Sequence, residues 1–446
     1  MTYKEIRDRY PRFIYDKYVI ENLDDVYKIT YYFEIEGLAK FTPSIEIFKK
    51  DITNKDLNED FINDLVFHIG LVELISYWKC AMPKEVIINA GYLSSEQISW
   101  FKKLYFYGLS EFFYQNNIAL SIDSFMNITV TGKKTYYEVN YNGNGNLIPI
   151  GGGKDSVVTI NLLKDFYKDN TGFIINPKEV HLKCAEVAKL DNSLITIKRT
   201  LDKRLIELNN EGFLNGHTPF SSLVSFVSLL IAYLSSKKYI VLSNEESANE
   251  SNVVGEMINH QYSKSYEYEC DFNDYVDKYF NIDIKYFSLL RPLTEIQIAS
   301  LFSKYKEYHQ VFKSCNVGSK SLPWKWCCNC AKCLFVYIIL SPFLNEEELI
   351  DIFGENLYKR EDLLEIFMEL TGNSTHKPFE CVGTYEEVNY AISRAIEKYD
   401  GNLPYLLKVY YDNFNLIPKN DILKRFNEEN NVPDIYKEIV RRKIDE

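Results

Sequence analysis

The sequence has no excess of basic residues, no long apolar run and no internal repeat or low-complexity segment. It carries 51 lysines and arginines against 63 aspartates and glutamates, which gives a formal net charge of −12. A broad nucleic-acid-binding surface is disfavoured, because phosphate backbones are bound by clustered cations. An anionic small molecule is not excluded, since a few cations inside a cleft are enough to bind it.

Segments that could cross a membrane or target the chain to one are also scarce. The most apolar runs, residues 223–234 and 333–344, are too short or too polar to span a bilayer. The first residues carry charges where a signal peptide carries an apolar stretch. We therefore predict a cytoplasmic protein that has no membrane partner.

A chain of 446 residues exceeds one ordinary core, so two or three domains are expected. Residues 1–141 contain strand patterns at 27–36 and 44–48 and a helical pattern at 58–79, which predict an N-terminal α+β domain. Residues 345–446 carry mostly helical patterns and are predicted to form a helical C-terminal region.

The middle of the chain, residues 142–344, alternates short strands with helices. Strands are predicted at 147–150, 173–175, 180–183 and 239–242. Alternation of this kind predicts a parallel sheet with helices on both faces. The fold class is therefore α/β, with the parallel sheet in a central domain.

A glycine-rich loop lies between the predicted strand at 147–150 and the helix that follows it. From Gly151 to Ser156 the sequence is Gly-Gly-Gly-Lys-Asp-Ser. Glycine lets the backbone approach phosphate groups, and the N–H groups at a helix N-terminus attract an anion. The motif is neither a Walker A loop nor the dinucleotide-binding GxGxxG. A tight strand–helix turn with no ligand is the alternative.

This loop resembles the PP-loop of the ATP pyrophosphatases, whose pattern is Ser-Gly-Gly-x-Asp-Ser. The resemblance implies an adenine nucleotide α-hydrolase-like domain that binds ATP with Mg²⁺ and cleaves ATP between its α- and β-phosphates. It assigns the pyrophosphate to Gly152, Gly153 and Ser156, with Lys154 and Asp155 nearby. Gly151 departs from the pattern, because the family usually has Ser there, and one hydroxyl contact to phosphate is lost with it.

Four of the nine cysteines fall within residues 327–333. This clustering does not suit a secreted disulfide framework and indicates a metal site in a reducing compartment. Cys327, Cys330 and Cys333 have C-x2-C-x2-C spacing, and Cys315 is the natural fourth ligand of a structural, tetrahedral Zn²⁺. Cys328 is out of phase. Buried cysteines without a metal are the alternative. A similar cluster occurs in some PP-loop enzymes, such as the 7-cyano-7-deazaguanine synthases.

The segment 242–250 follows the predicted strand at 239–242, and would lie at the carboxyl edge of the sheet. Ligands of open α/β sheets bind at that edge. Its residues Asn244, Glu245 and Asn249 are predicted to hold Mg²⁺ or substrate.

Two other polar segments are predicted to contribute reactive groups. Residues 259–265 include His260 and Lys264, of which the lysine is a candidate cation for an anionic substrate. A loop that interrupts the helical C-terminal region carries His376 and Cys381. Solvated loops or structural turns are the alternatives for both segments.

Together these segments resemble the UDP-N-acetylmuramoyl-L-alanyl-L-glutamate epimerases, the MurL family. The similarity extends from about residue 64 to about residue 388. It is carried by residues 68–79, 108–114, 150–156, 216–219, 244–249, 259–265 and 376–383 and by the cysteine cluster. The resemblance implies that the substrate is UDP-MurNAc-L-Ala-L-Glu and that its terminal L-Glu is inverted to D-Glu with ATP. It leaves the oligomeric state unknown.

A glutamyl Cα–H is barely acidic while the adjacent carboxylate is charged. An acyl-adenylate removes that charge, and a pair of acid–base groups on opposite faces of Cα could then remove and return the proton. The candidates are Cys381, His376 and His260, among which the sequence does not choose. No lysine motif for pyridoxal phosphate is evident.

Two other functions compete with this one. An AMP-forming PP-loop ligase or a nucleobase-modifying enzyme of the deazaguanine synthase kind would use the same loop. The net charge disfavours a tRNA-modifying enzyme. A non-catalytic ATP-binding scaffold would account for glycine at position 151.

Overall fold

The computed structural model describes residues 2–166, 168–249, 262–320, 324–374 and 376–445. Eleven strands form one sheet. The strands are β1 Arg12–Asn22, β2 Val26–Ile35, β3 Ala39–Phe41, β4 Ser44–Phe48, β5 Glu85–Ile88, β6 Asn127–Val130, β7 Asn146–Pro149, β8 Asn170–Ile175, β9 Leu194–Thr200, β10 Tyr239–Leu242 and β11 Lys285–Ser288.

Helices connect most of the strands and form the C-terminal part of the described chain. They are α1 Tyr3–Arg9, α2 Glu59–Trp78, α3 Ser95–Gly108, α4 Ser110–Gln115, α5 Lys154–Leu162, α6 Glu179–Val187, α7 Lys203–Asn210, α8 Phe220–Leu234, α9 Tyr266–Tyr275, α10 Glu295–Ser303, α11 Ala331–Leu340, α12 Glu346–Phe353, α13 Leu364–Leu370, α14 Tyr385–Ile396, α15 Tyr405–Asn413 and α16 Asp434–Asp445. Capping boxes start several of them, including α3 at Ser94, α10 at Thr294 and α14 at Thr384.

The strand order is β11-β10-β7-β8-β9-β4-β2-β1-β5-β6, with β3 paired beside β2. Strands β7 to β11 are mutually parallel, and β4 joins β9 in antiparallel register. The protein is therefore a mixed α/β fold built on a large sheet of mostly parallel strands. The sheet continues across the predicted boundary at residue 141; the division into residues 1–141, 142–344 and 345–446 stays a prediction.

Both faces of the parallel part of the sheet are covered. Successive side chains of a strand point to opposite faces, so that in β10 Ile240 joins one buried cluster and Val241 joins the other. The first cluster also contains α2 and α8, and the second contains α5, α10 and α11. This arrangement leaves the ends of the strands as the places where polar groups can gather.

The C-terminal helices pack onto the sheet. Tyr436 of α16 is buried and donates a hydrogen bond from its hydroxyl to Oδ1 of Asn146 at the start of β7, over 2.6 Å. Gln297 of α10 donates to the carbonyls of Leu423 and Arg425. The last hundred residues thus support β7, which leads into the glycine loop, and α10.

One sequence prediction of secondary structure is wrong. Residues 180–183 belong to helix α6 and not to a strand. Val180 and Cys184 are four residues apart and both are buried, which is helical spacing. A four-residue apolar pattern is too short to distinguish the two-residue period of a strand from the 3.6-residue period of a helix.

Helix α2 is long and apolar enough to cross a membrane by length and composition. However, 78% of its most apolar window is buried inside the protein. His68 on this helix is buried as well, with Nε2 2.8 Å from the Tyr275 hydroxyl and with aromatic rings around it. Helix α2 is therefore a core helix.

Candidate functional site

The glycine loop lies at the point where the order of the parallel strands reverses. It follows β7, which has β8 on one side and β10 on the other. In open α/β sheets the crevice at such a point, beyond the carboxyl ends of the strands, is where ligands bind. The loops that follow β10 and β11 begin at the same edge of the sheet, because these strands are parallel to β7.

The backbone of the loop is shaped by Gly152. Its φ angle of +74° favours glycine, and a Cβ there would lie 2.8 Å from Val180 Cγ1 and 2.9 Å from His181 Cδ2. Helix α5 begins at Lys154 after Gly153, which has no side chain to cap the helix. The first N–H groups of α5 therefore face the loop, as in sites that bind phosphate.

Lys154 is buried in an ion cluster at the start of α5. Its ammonium group contacts Oδ1 of Asp155 and Oε2 of Glu295, and its side chain is 1% exposed. Burial alone would lower the pKa of Lys154, but the two carboxylates raise it above its ordinary value. The same lysine, with Lys332, lowers the pKa of Asp155 against the effect of burial. Lys154 therefore holds the loop and α10 together as a permanent cation.

A further carboxylate, that of Glu387, extends this cluster. The Oε1 atom of Glu387 accepts a hydrogen bond from the backbone N–H of Glu295 over 2.6 Å, at the start of α10. Burial raises the pKa of Glu295 to about 8, and it also raises that of Glu387. The Oε1 atom of Glu295 is buried with no hydrogen-bond partner in the described part of the chain. A buried, unsatisfied carboxylate oxygen is a ligand that a cation such as Mg²⁺ could take.

Arg291 joins the loops that follow β10 and β11. Its guanidinium group is fully buried and donates to the carbonyl of Glu245 over 2.8 Å and to that of Lys264 over 2.5 Å. It also contacts Glu269 Oε2 at 3.3 Å. Arg291 thus fixes the backbone of the site.

Lys264 and Cys381 meet at this edge of the sheet. The ammonium group of Lys264 lies 3.1 Å from the Cys381 sulfur. The charge interaction with that sulfur raises the pKa of Lys264 above its ordinary value, and the carboxylates of Glu245 and Asp155 add to the effect. Lys332 holds the Cys381 backbone by donating to its carbonyl. The structure therefore brings together two residues that are 117 positions apart.

The four cysteines that the spacing selects form one cluster. The sulfur atoms of Cys315, Cys327, Cys330 and Cys333 all lie within 4.8 Å of one another. Backbone N–H groups of Gly318 and Asn329 point at two of these sulfurs, at 3.1 and 3.5 Å. Cys328 has a φ of +57° and donates to the Phe353 carbonyl, outside the cluster. The cluster could hold a metal ion.

The cysteine cluster is connected to the glycine loop on both sides. The N–H of Lys313, two residues before Cys315, donates to the carbonyl of Gly152 over 2.9 Å. Lys332, between Cys330 and Cys333, holds the Cys381 backbone as described above. A metal ion bound by the four sulfurs would therefore stabilise the glycine loop and the backbone of Cys381 together.

The remaining residues that the sequence predicts for the site differ in burial and in their contacts. Asn244 donates to the Ser288 hydroxyl over 3.0 Å, and Glu245 is buried beside the ion cluster. The backbone of Asn249 ends a short 3₁₀ turn. His376 lies 3.2 Å from Glu369 and is 48% exposed. His260 lies outside the described residues.

Sequence reasoning did not select Lys332, Glu295 or Glu387. Lys332 stands inside the C-x2-C spacing, which is a signal that could have drawn attention to it. The two glutamates carry no local motif that marks a site, since Glu387 is also the N3 residue of an ordinary capping box.

Comparison with known proteins identifies relatives for nearly the whole chain. The MurL N-terminal domain model matches residues 4–289, and the MurL C-terminal domain model matches residues 311–416. Three relatives named UDP-N-acetyl-alpha-D-muramoyl-L-alanyl-L-glutamate epimerase are each 34% identical to the chain. The match with the Xanthomonas oryzae protein covers 73% of both chains, that with the Micromonospora protein 81% of both, and that with the Salinispora tropica protein 72% of this chain and 70% of the relative.

Proposed function

The chain belongs to the MurL family, and from this membership we propose that it inverts the terminal L-Glu of UDP-MurNAc-L-Ala-L-Glu to D-Glu in peptidoglycan precursor synthesis, driven by ATP. The reaction belongs in the cytoplasm, because a cluster of reduced cysteines needs a reducing compartment.

One observation supports the ATP-dependent form of this reaction most strongly. The glycine loop and the contact between Lys264 and Cys381 belong to one charged cluster. This cluster lies at the carboxyl edge of the sheet, where the order of the parallel strands reverses between β7 and β10. The phosphate-binding backbone and a reactive thiol are thereby linked through Asp155 and Lys264. In a PP-loop arrangement of β7 to β11, ATP would bind between them.

Activation of the glutamate carboxylate makes its Cα–H acidic enough to remove. The carboxylate oxygen attacks the α-phosphorus of ATP, and pyrophosphate leaves toward the N–H groups of Gly152 and Gly153. In the acyl-adenylate the carboxylate group no longer carries a negative charge. The electron pair of the Cα–H bond can therefore move into the acyl carbonyl group. After inversion, water attacks the acyl carbon and releases AMP. ATP cleavage gives the inversion its direction.

A divalent cation would be held by the carboxylates of the cluster. Glu245, Glu295 and Glu387 interact through their charges, and Glu295 presents the unsatisfied oxygen. Mg²⁺ bound there would neutralise phosphate charge during adenylation.

Zn²⁺ suits the cysteine cluster. Four thiolates with no open position make a structural site. Backbone N–H groups that donate hydrogen bonds to the sulfurs, as those of Gly318 and Asn329 do, hold the ligands of such sites in place. We expect the purified protein to contain one zinc ion per chain.

Replacing a ligand should abolish zinc binding, whereas replacing the neighbouring cysteine should not. Cys330→Ser is expected to reduce zinc content from about one per chain to near zero, because three thiolates leave the tetrahedral shell open. Cys328→Ser is the control, since its sulfur points away from the cluster. Metal content by plasma mass spectrometry measures both. Equal zinc loss in the two variants would contradict the assignment.

The function is tested by incubating the protein with ATP, Mg²⁺ and UDP-MurNAc-L-Ala-L-Glu. We expect AMP, pyrophosphate and D-Glu in equal amounts, measured by chromatography of nucleotides and by chiral analysis of the hydrolysed peptide. AMP without D-Glu would instead indicate a ligase that uses the same loop. ATP binding without AMP formation would indicate a scaffold.

A further inference from the structure

Inversion of a stereocentre by proton transfer needs one group on each face of the carbon. Cys381 with Lys264 supplies one of them. We propose that His217, oriented by Glu111, is the second acid–base residue and acts on the face of Cα opposite to Cys381. This inference rests on the proposed function, since it concerns the same activated glutamate.

His217 and Glu111 form an imidazole–carboxylate pair. Nδ1 of His217 lies 3.4 Å from Oε2 of Glu111, and the side chains are 23% and 8% exposed. The other carboxylate oxygen of Glu111 accepts a hydrogen bond from Gln115 over 2.7 Å. A carboxylate at Nδ1 fixes the tautomer and stabilises the imidazolium, so that Nε2 is the nitrogen that exchanges the substrate proton.

The pair lies beside Cys381 because of the residues on either side of Glu111. Tyr107, four residues before it, packs on Tyr262 with ring centroids 5.4 Å apart. Tyr114, three residues after it, packs on Phe379 at 5.6 Å. Tyr114 shares the side of α4 that carries Glu111, because it is three residues further along the same helix, and Tyr107 is in the last turn of the preceding helix α3.

Each of the two ring contacts involves a residue that is two positions away from Lys264 or from Cys381. Tyr262 is two residues before Lys264, and Phe379 is two residues before Cys381. Lys264 and Cys381 contact each other, so the two ring contacts together place the segment that carries Glu111 near this pair. In the proposed arrangement His217, the partner of Glu111, acts from the side of the glutamate Cα opposite to Cys381.

The backbone that carries His217 is firmly held. The carbonyl of Gly216 accepts a hydrogen bond from Lys79, and that of Asn215 accepts one from Asn116 over 3.2 Å. A Cβ at Gly216, where φ is +153°, would lie 3.0 Å from Phe112 Cδ2. An acid–base group fixed in this way loses no entropy when the substrate binds.

The proton transfers balance as follows. The Cys381 thiolate, stabilised by the Lys264 ammonium, removes the Cα proton of the L-adenylate, and the electron pair moves into the acyl carbonyl. The imidazolium of His217 delivers its Nε2 proton to the opposite face, and the pair returns to form the new C–H bond. The thiol and the neutral imidazole then exchange protons with water and regain their starting forms.

Deuterium exchange at Cα in D₂O tests this assignment. His217→Asn is expected to lower the rate of inversion at least about a hundredfold. With the L-substrate it should still yield L-Glu that carries deuterium, because Cys381 continues to remove and return the proton on its own face. With the D-substrate it should yield no exchange. Cys381→Ser should show the opposite pattern, with exchange from the D-substrate alone.

Glu111→Gln tests the positioning role, and Glu96→Gln is its matched control, since Glu96 pairs with Lys278 at an exposed position outside the site. The first should show the exchange pattern of His217→Asn in weaker form, and the second should invert at the rate of the unaltered protein. Inversion by His217→Asn at the unaltered rate would overturn the proposal. So would loss of exchange from both isomers or loss of AMP formation in that variant. If the unaltered protein inverts glutamate without forming AMP, the ATP mechanism fails, and the exchange patterns still decide the role of His217.

Discussion

Gly152→Ala is expected to lower the rate of ATP cleavage by about a hundredfold or more, because preorganised N–H donors contribute that much in other active sites. A Cβ at this position meets Val180 and His181 at less than 3 Å, and φ of +74° is unfavourable for alanine by about 1–2 kcal/mol. The loop must shift, and the N–H groups that would receive pyrophosphate shift with it. Steady-state AMP formation measures the loss.

Two variants separate the function of the loop from backbone strain. Gly212→Ala carries a similar penalty, since its φ is +90° and a Cβ would meet nothing within 4 Å, but it lies outside the site. It should leave AMP formation unchanged. Gly151→Ser places a hydroxyl in open space and restores the residue that PP-loops carry, so the KM for ATP should fall. A Gly152→Ala protein as active as the Gly212→Ala protein would show that the loop does not bind phosphate.

Lys154→Met is expected to lower the free energy of unfolding by about 3–5 kcal/mol, as when one partner of a buried ion pair is removed. The ammonium group contacts the carboxylates of Asp155 and Glu295 in a region where the lysine and Glu295 are each 1% exposed. Without it, the two carboxylates face each other. Urea unfolding followed by tryptophan fluorescence measures the change.

The matched control for this variant is Lys183→Met. Lys183 pairs with Glu179 at 2.6 Å, but both side chains are about half exposed, so its loss should leave the free energy of unfolding nearly unchanged. The double variant Lys154→Met/Glu295→Leu should recover part of the stability, because it also removes a buried charge. Equal effects of Lys154→Met and Lys183→Met would contradict the buried ion cluster.

Local motifs made part of the site predictable. The glycine loop and the four cysteines lie within short stretches whose spacing is set by phosphate-binding and metal-binding geometry. The alternation of strands and helices around residues 147–242 likewise predicts the parallel sheet, although the pattern at 180–183 is too short to distinguish a strand from a helix. The structure agrees with the α/β class.

Contacts between distant segments could not be predicted. Lys154 reaches Glu295 over 141 positions, and Lys264 reaches Cys381 over 117. Glu295 does not differ in local sequence from a solvated residue. The sequence indicates the segments that contain Lys264 and Cys381 as candidate sites, but it does not indicate that the two residues meet. The pairing of β4 with β9, which joins the two halves of the sheet, also depends on tertiary packing that no local period records. His217 belongs to this class, since Glu111 lies on a distant helix.

Inversion driven by ATP requires transfer of the glutamate carboxylate to the α-phosphate of ATP. Substrate labelled with ¹⁸O in the α-carboxylate of its glutamate, incubated with ATP and Mg²⁺, tests this transfer directly. Mass spectrometry of the released AMP should find one ¹⁸O atom in its phosphate, together with D-Glu in the product. The appearance of ¹⁸O in inorganic phosphate with ADP, or of D-Glu with no label in any phosphate, would contradict adenylation at the glycine loop.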